Sequence, residues 1–228
     1  MARTPEGPPK RSRLKLPNPD CTLQSLANDI RACRICVETP LGRPLPHAPK
    51  PVFHASGQAK VILAGQAPGA RVHASGVPFT DRSGDRLRAW MGVTPDQFYD
   101  LDLISIIPMG FCFPGNDKHG GDLPPRRECR ARWHDQVFDC VHPPLLLLCI
   151  GQYALNYHLQ RLGLGQLIGQ NLTQTVANWR EIRNSAPYPV IPLPHPSWRN
   201  SAWLRKNPWF ETELLPVLRQ DIAVALSR

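Results

Sequence analysis

The sequence of 228 residues has no long apolar run: the longest, Leu145–Ile150, is far shorter than the roughly 20 residues that a helix needs to cross a bilayer. A membrane-spanning helix is thereby excluded, and no membrane partner is expected. Acidic residues are also scarce, 18 Asp plus Glu against 27 Lys plus Arg, which leaves a formal charge of +9. Such an excess suggests a polyanionic partner, because every phosphate neutralised by Lys or Arg releases condensed counterions. Nucleic acid is the first candidate. The early charges Arg3, Lys10, Arg11, Arg13 and Lys15 have no apolar stretch behind them, so a secretory signal is not expected. A cytoplasmic, nucleoid-associated or a nuclear location is the expectation. A hydrophobic share of 42% is enough for an ordinary core, which rules out disorder along the whole chain.

The first 20 residues hold five prolines and much of the early charge, and read as a disordered basic arm. From residue 21 onward the patterns follow one another without a long linker, so 21–228 is expected to form one domain. Leu23, Leu26 and Ile30 recur at helical spacing. Lys60–Ala64 is a short apolar run ending at Gly65, the pattern of a buried strand that feeds a tight turn. A helix is expected from about Gly84 to Met91, a second strand over Leu101–Ile107 and a helix over Arg126–Val141. A third strand follows at Leu145–Ile150, then a helix at Gln152–Leu162, a fourth strand at Val190–Leu193 and a last helix from about Pro208 to Leu226, kinked at Pro216. Strands alternating with helices predict an α/β fold, a three-layer α/β/α sandwich around a mainly parallel four-stranded sheet. In such a sheet ligands bind at the carboxyl ends of the strands, and the motifs below lie just past strand ends.

Gly65-Gln66-Ala67-Pro68-Gly69 follows the first strand, with glycine at both ends so that backbone can turn sharply and approach a ligand. Phe79, in a loop that also holds Gly76 and Pro78, is either a plug for the sheet edge or a platform on which a base stacks. His195 lies between Pro194 and Pro196 directly after the fourth strand. A stiffly held neutral imidazole there can donate to a carbonyl oxygen whose negative charge grows as a bond breaks. Asp81 and Asp85 are the nearest carboxylates, and either orient a water or cap the next helix. Cys33-x-x-Cys36, Cys112 and Cys129 form a four-thiol pattern that suits zinc, a [4Fe–4S] cluster or plain burial, and spacing does not choose among them.

Taken in order, Gly65–Gly69, Val77-Pro-Phe79, Ser105-Ile-Ile-Pro108 with Gly110-Phe-Cys112, and His195-Pro-Ser197 resemble the motifs of the uracil-DNA glycosylase superfamily. The cysteines, with Cys112-Phe-Pro-Gly-Asn116, are similar to its iron–sulfur branch, family four. The resemblance spans about Cys33 to Leu226. It implies hydrolysis of the N-glycosidic bond of uracil or a related deaminated base in DNA, the opening step of base excision repair, by a monofunctional enzyme that is expected to be a monomer and needs no soluble cofactor. The alternative is a damage-binding protein of the same fold with weak or no catalysis.

By the same resemblance, backbone amides around Gln66, beside Gly65 and Ala67, contact the base, Phe79 stacks on it, and His195 hydrogen-bonds the uracil O2. Cys33, Cys36, Cys112 and Cys129 ligate a structural [4Fe–4S] cluster, with zinc or no metal as the alternatives. Ser197, Trp198, Arg199 and Asn200 form the loop that enters the minor groove. Arg71, Arg82, Arg86, Arg199, Arg205 and Lys206 are candidates for phosphate contacts. Two positions depart from the pattern. Ala67 stands where many relatives carry an aspartate, which leaves Asp81 as the first choice to orient the water. Ser105 stands where an asparagine often reads the base edge, and its single hydroxyl implies either weaker discrimination or reading by backbone and another side chain, with Asn116 the candidate.

Overall fold

The computed structural model describes residues 22–228, and the basic arm expected over residues 1–20 lies outside the described residues. Four apolar runs build the sheet: β1 (Val61–Ala64), β2 (Ile104–Ile106), β3 (Leu146–Ile150) and β4 (Val190–Leu193). Their spatial order is β2-β1-β3-β4, and every neighbouring pair is parallel. All their residues are buried, as continuous apolar strands must be when helices cover both faces. The result is the expected α/β sandwich, with the sheet parallel throughout. From β2 the chain returns to the far side of β1 to form β3, so the topological switch, where a ligand crevice is expected, falls between the carboxyl ends of β1 and β3.

Two expected elements change. Residues 101–103 are a turn instead of strand: the Asp100 carbonyl accepts the amides of Leu103 and Ile104, and its carboxylate accepts that of Asp102. The kink expected at Pro216 is a wide turn of π-helix, Phe210–Leu214, followed by regular helix over Leu215–Ser227. Proline lacks an N–H and its ring crowds the carbonyl four residues back, and a widened turn relieves both. The helix Leu215–Ser227 packs on the helix Arg82–Met91, while Leu23–Arg31 packs on Arg127–Cys140.

Between β1 and that Arg82–Met91 helix the chain makes its one strained turn among the described residues. Phe79 has φ +54°, the only positive value there at a non-glycine residue, a conformation that costs of order 1 kcal/mol or more and persists only where the surroundings fix it. Its carbonyl accepts from Arg88 Nη1 at 3.3 Å and Tyr99 Oη at 3.3 Å. Gly84 lies against that carbonyl so closely that a Cβ there would overlap it. Gly84→Ala should therefore lower stability by roughly 1–3 kcal/mol, read from the urea midpoint; an unchanged midpoint would show that the turn can relax.

On the other side of the sheet, His134 and His158 are buried in an aromatic cluster with Phe111, Phe138 and Tyr157. Burial pushes the His134 imidazole down to about 4 and that of His158 well below its ordinary value. The native state thus resists binding protons that the unfolded chain accepts below about 6.5. Stability is complete above that pH and is lost as pH falls toward 4, at up to about 1.4 kcal/mol per pH unit for each histidine. Urea midpoints should fall between pH 7.5 and 5, and less steeply in His158→Phe; equal slopes would remove His158 from the explanation.

Candidate active site

At the carboxyl edge of the sheet an open hollow lies among the loops that leave β1, β2 and β4. The turn Gly65–Gly69 forms one wall, Phe79 another, and His195 closes a third side, with Ile106 and Pro108 from the end of β2 between them. Three stretches distant in sequence thus meet around one space. The turn is tied to the β2 loop by Met109 N–H to Gly65 carbonyl and Gly110 N–H to Gln66 carbonyl, both 2.9 Å. Among the described residues nothing accepts the amide protons of the half-buried Gln66 and Ala67, which leaves both donors open to a partner. The Gln66 side chain itself points elsewhere, packing on Gly151, where φ is +82° and a Cβ would collide with it.

The ring of Phe79 is half-buried, and stands edge-on to Phe98 at 6.0 Å. Ordinary contact separates it from the Gly65 backbone, where a Cβ would sit 3.7 Å away. His195 is fixed through its backbone: Asn200 Nδ2 donates to its carbonyl at 2.7 Å, and Arg86 Nη1 donates to the Ser197 carbonyl at 2.9 Å. Burial lowers the imidazole pKa, against the opposing pull of Asp81 and Asp122, so at neutral pH the ring is uncharged and carries one N–H to donate. Asp81 lines the hollow and also caps the Arg82–Met91 helix, accepting from Gly84 N–H at 3.3 Å and from the Ser83 hydroxyl. The expected capping role is therefore present, on a carboxylate that also faces the hollow. Asp85 stays outside, paired with Arg88 at 2.7 Å.

Asp122 lines the hollow too, and the sequence reading passed over it. Burial raises its carboxyl pKa, opposed by His195 and Arg199. Asn116, expected to read a base, instead donates to Asp122 Oδ1 at 3.2 Å and is exposed. The signal available was the turn-rich stretch between them, in which Asp117 Oδ1 accepts the amides of His119 and Gly121 and closes a hairpin by the Asn116–Asp122 bridge. Ser105 is also not brought to the hollow. Ile106 faces it, so the preceding side chain projects to the opposite face of the sheet, where the Ser105 hydroxyl accepts the Ser56 amide at 2.9 Å.

A polar groove runs outward from the hollow past Arg71, Arg82, Ser197, Trp198 and Arg199. Trp198 is 68% exposed, available as a wedge, and Arg199 donates to the Gly120 carbonyl at 3.2 Å. Of the expected phosphate ligands, Arg86 is committed to holding the Ser197 loop, and the exposed Arg205 and Lys206 lie on the next helix without lining the groove.

Cys33, Cys36, Cys112 and Cys129 come together beside the helix Arg127–Cys140. Burial pushes the Cys36 thiol up to about 12 and Cys112 up to about 11, and raises Cys129 as well, each with smaller contributions from the other thiols. N–H donors are aimed at two of the sulfurs, Phe111 N–H at Cys129 Sγ (3.4 Å) and Trp133 Nε1 at Cys33 Sγ (3.3 Å). Among the described residues no group of three or more His, Cys, Asp or Glu side chains is set to hold a single metal ion. Cys149, by contrast, is part of the β3 core.

The family model for the uracil DNA glycosylase superfamily matches residues 51–219, which takes in all four strands, the whole hollow, Cys112 and Cys129, but neither Cys33 nor Cys36. With most of its length matched and its strand-end loops meeting around one hollow, the chain belongs to the uracil DNA glycosylase superfamily and has the DNA glycosylase type of hydrolase fold.

Proposed function

We propose that the protein hydrolyses the N-glycosidic bond of uracil, or a related deaminated base, in DNA, leaving an abasic site and so opening base excision repair. In this reading it acts as a monofunctional enzyme and a monomer, in the cytoplasm at the nucleoid or in a nucleus. One observation carries the reading: an uncharged imidazole, His195, and a strained aromatic ring, Phe79, share one hollow whose third wall offers unpaired backbone N–H groups.

The sugar bond of a base inside a duplex is out of reach, so the nucleotide must leave the stack at a cost of a few kcal/mol. Stacking on Phe79 offsets part of that, at about 1–3 kcal/mol per base, and Trp198 can fill the space left behind. As the glycosidic bond breaks, its electron pair passes to the base and negative charge gathers on the carbonyl oxygens. The His195 N–H and the amides of Gln66 and Ala67 then stabilise an anion that water would stabilise less well in the same place. A water held by Asp81 or Asp122 at the mouth of the hollow supplies oxygen to the sugar carbon, and its proton passes to the carboxylate. Base selection rests on backbone amides and His195, since neither Ser105 nor Asn116 lines the space.

Removal of one preorganised donor costs about 10²–10³-fold in rate. Excision from single- and double-stranded uracil oligonucleotides, followed by alkaline cleavage at abasic sites, should accordingly fall 10²–10³-fold in His195→Ala while strand binding persists. Binding by the wild-type protein with no scission would overturn the enzymatic reading in favour of a damage-binding protein.

In the same reading Cys33, Cys36, Cys112 and Cys129 hold a [4Fe–4S] cluster rather than a zinc ion, and the N–H donors aimed at two of the sulfurs support it, since cluster sulfurs accept hydrogen bonds. Bound there, the cluster would act as a structural staple. Cys33 and Cys36 come from the segment ahead of β1, Cys112 and Cys129 from the segment after β2, so ligation joins the N-terminal helices to the sheet. Anaerobically purified protein should be brown with about four irons per chain, and Cys112→Ser should lose the colour and melt at lower temperature. Colourless protein with stoichiometric zinc would contradict the iron assignment.

A further inference from the structure

Beside the base hollow runs a second, wider groove that the mechanism above does not use. It is lined by Met109 and Pro125, by the start of the helix Arg127–Cys140 and by one face of the helix Gln152–Arg161, from Tyr153 to Gln160. Arg127 and Arg130 are three positions apart, and Tyr153 and Tyr157 four, so each pair shares a helix face. Both arginines are exposed, and Tyr153 is 45% exposed. Arg130 lies over the Tyr157 ring at 5.5 Å. Neither arginine is ion-paired among the described residues. No acidic residue lines the groove; of the carboxylates bonded to its walls, Glu128 pairs with Arg126 at 3.9 Å and Asp135 accepts the Tyr157 hydroxyl at 2.6 Å. Pro108 lines the base hollow and Met109 the groove, so adjoining residues, about 3.8 Å apart along the backbone, form the partition between them.

We propose that this groove binds the single-stranded DNA that continues from the flipped nucleotide, with phosphates on Arg127 and Arg130 and an unpaired base on Tyr153. Unpaired cations opposite a free aromatic face are the combination that tracks a single strand, since phosphates seek the charge and only an unpaired base offers its face for stacking. The inference rests on DNA being the substrate, and it adds a preference for a single-stranded flank.

The test uses undamaged oligothymidylate, which needs no base hollow, with anisotropy titrations of the full chain at several salt concentrations. Each phosphate contact to a single strand contributes about 0.7 to the slope of log affinity against log salt. The double variant Arg127→Ala/Arg130→Ala should flatten that slope by roughly 1.4. Tyr153→Ala should weaken binding about tenfold with the slope intact. Arg180→Ala, which removes one positive charge outside the groove, beside Glu213, should do neither. A slope in the double variant equal to that of Arg180→Ala, or full affinity in Tyr153→Ala, would overturn the groove assignment. Because the probe contains no damaged base, a failure here leaves uracil excision unaffected, and a failure of excision leaves these titrations readable.

Discussion

The strained backbone of Phe79 is the constraint on which the candidate site depends. A phenylalanine does not adopt φ +54° unaided. Here the Arg88 guanidinium and the Tyr99 hydroxyl hold its carbonyl, and Gly84 leaves room for that carbonyl. In exchange the ring is set on the wall of the hollow, opposite a histidine whose own backbone is held by Asn200 and by flanking prolines. The helix Arg82–Met91 joins these devices: its cap Asp81 lines the hollow, Gly84 and Arg88 hold Phe79, and Arg86 holds the loop after His195. One helix therefore sets the spacing between the stacking ring and the imidazole.

The parallel sheet explains why such distant residues meet. All four strands run the same way, so their carboxyl ends open on one edge, and loops after β1, β2 and β4 converge there without further design. Burial does the electrical work. It keeps His195 uncharged against the pull of two carboxylates, and favours the protonated form of the thiols at the four-cysteine site.

What could be read from the sequence follows from these causes. β1, β3 and β4 were legible as unbroken apolar runs, the Gly65–Gly69 turn and His195 because each directly follows a strand, and Phe79, beyond the helix Ala70–Ser75, through its Gly- and Pro-containing loop and the family motif. The Ser105 expectation failed on parity: in a strand a shift of one residue changes the face, and Ile106, not Ser105, faces the hollow. That Asp122 lines the hollow and Asn116 does not could not be foreseen, because their hairpin is closed by turn chemistry spread over several polar residues. Arg86 could not be told from a solvated arginine, since only the fold shows that its guanidinium faces the Ser197 carbonyl. The strain at Phe79 and the role of Gly84 likewise have no signature in composition or period.

The central claim is that Phe79 and His195 serve one nucleobase, and competition binding of Phe79→Ala tests it most directly. Wild-type protein should prefer a uracil-containing strand over the same strand with thymine, and Phe79→Ala should lose most of that preference, about 1–3 kcal/mol, while its affinity for the undamaged strand stays the same. A preference for uracil that survives loss of the ring would contradict the account.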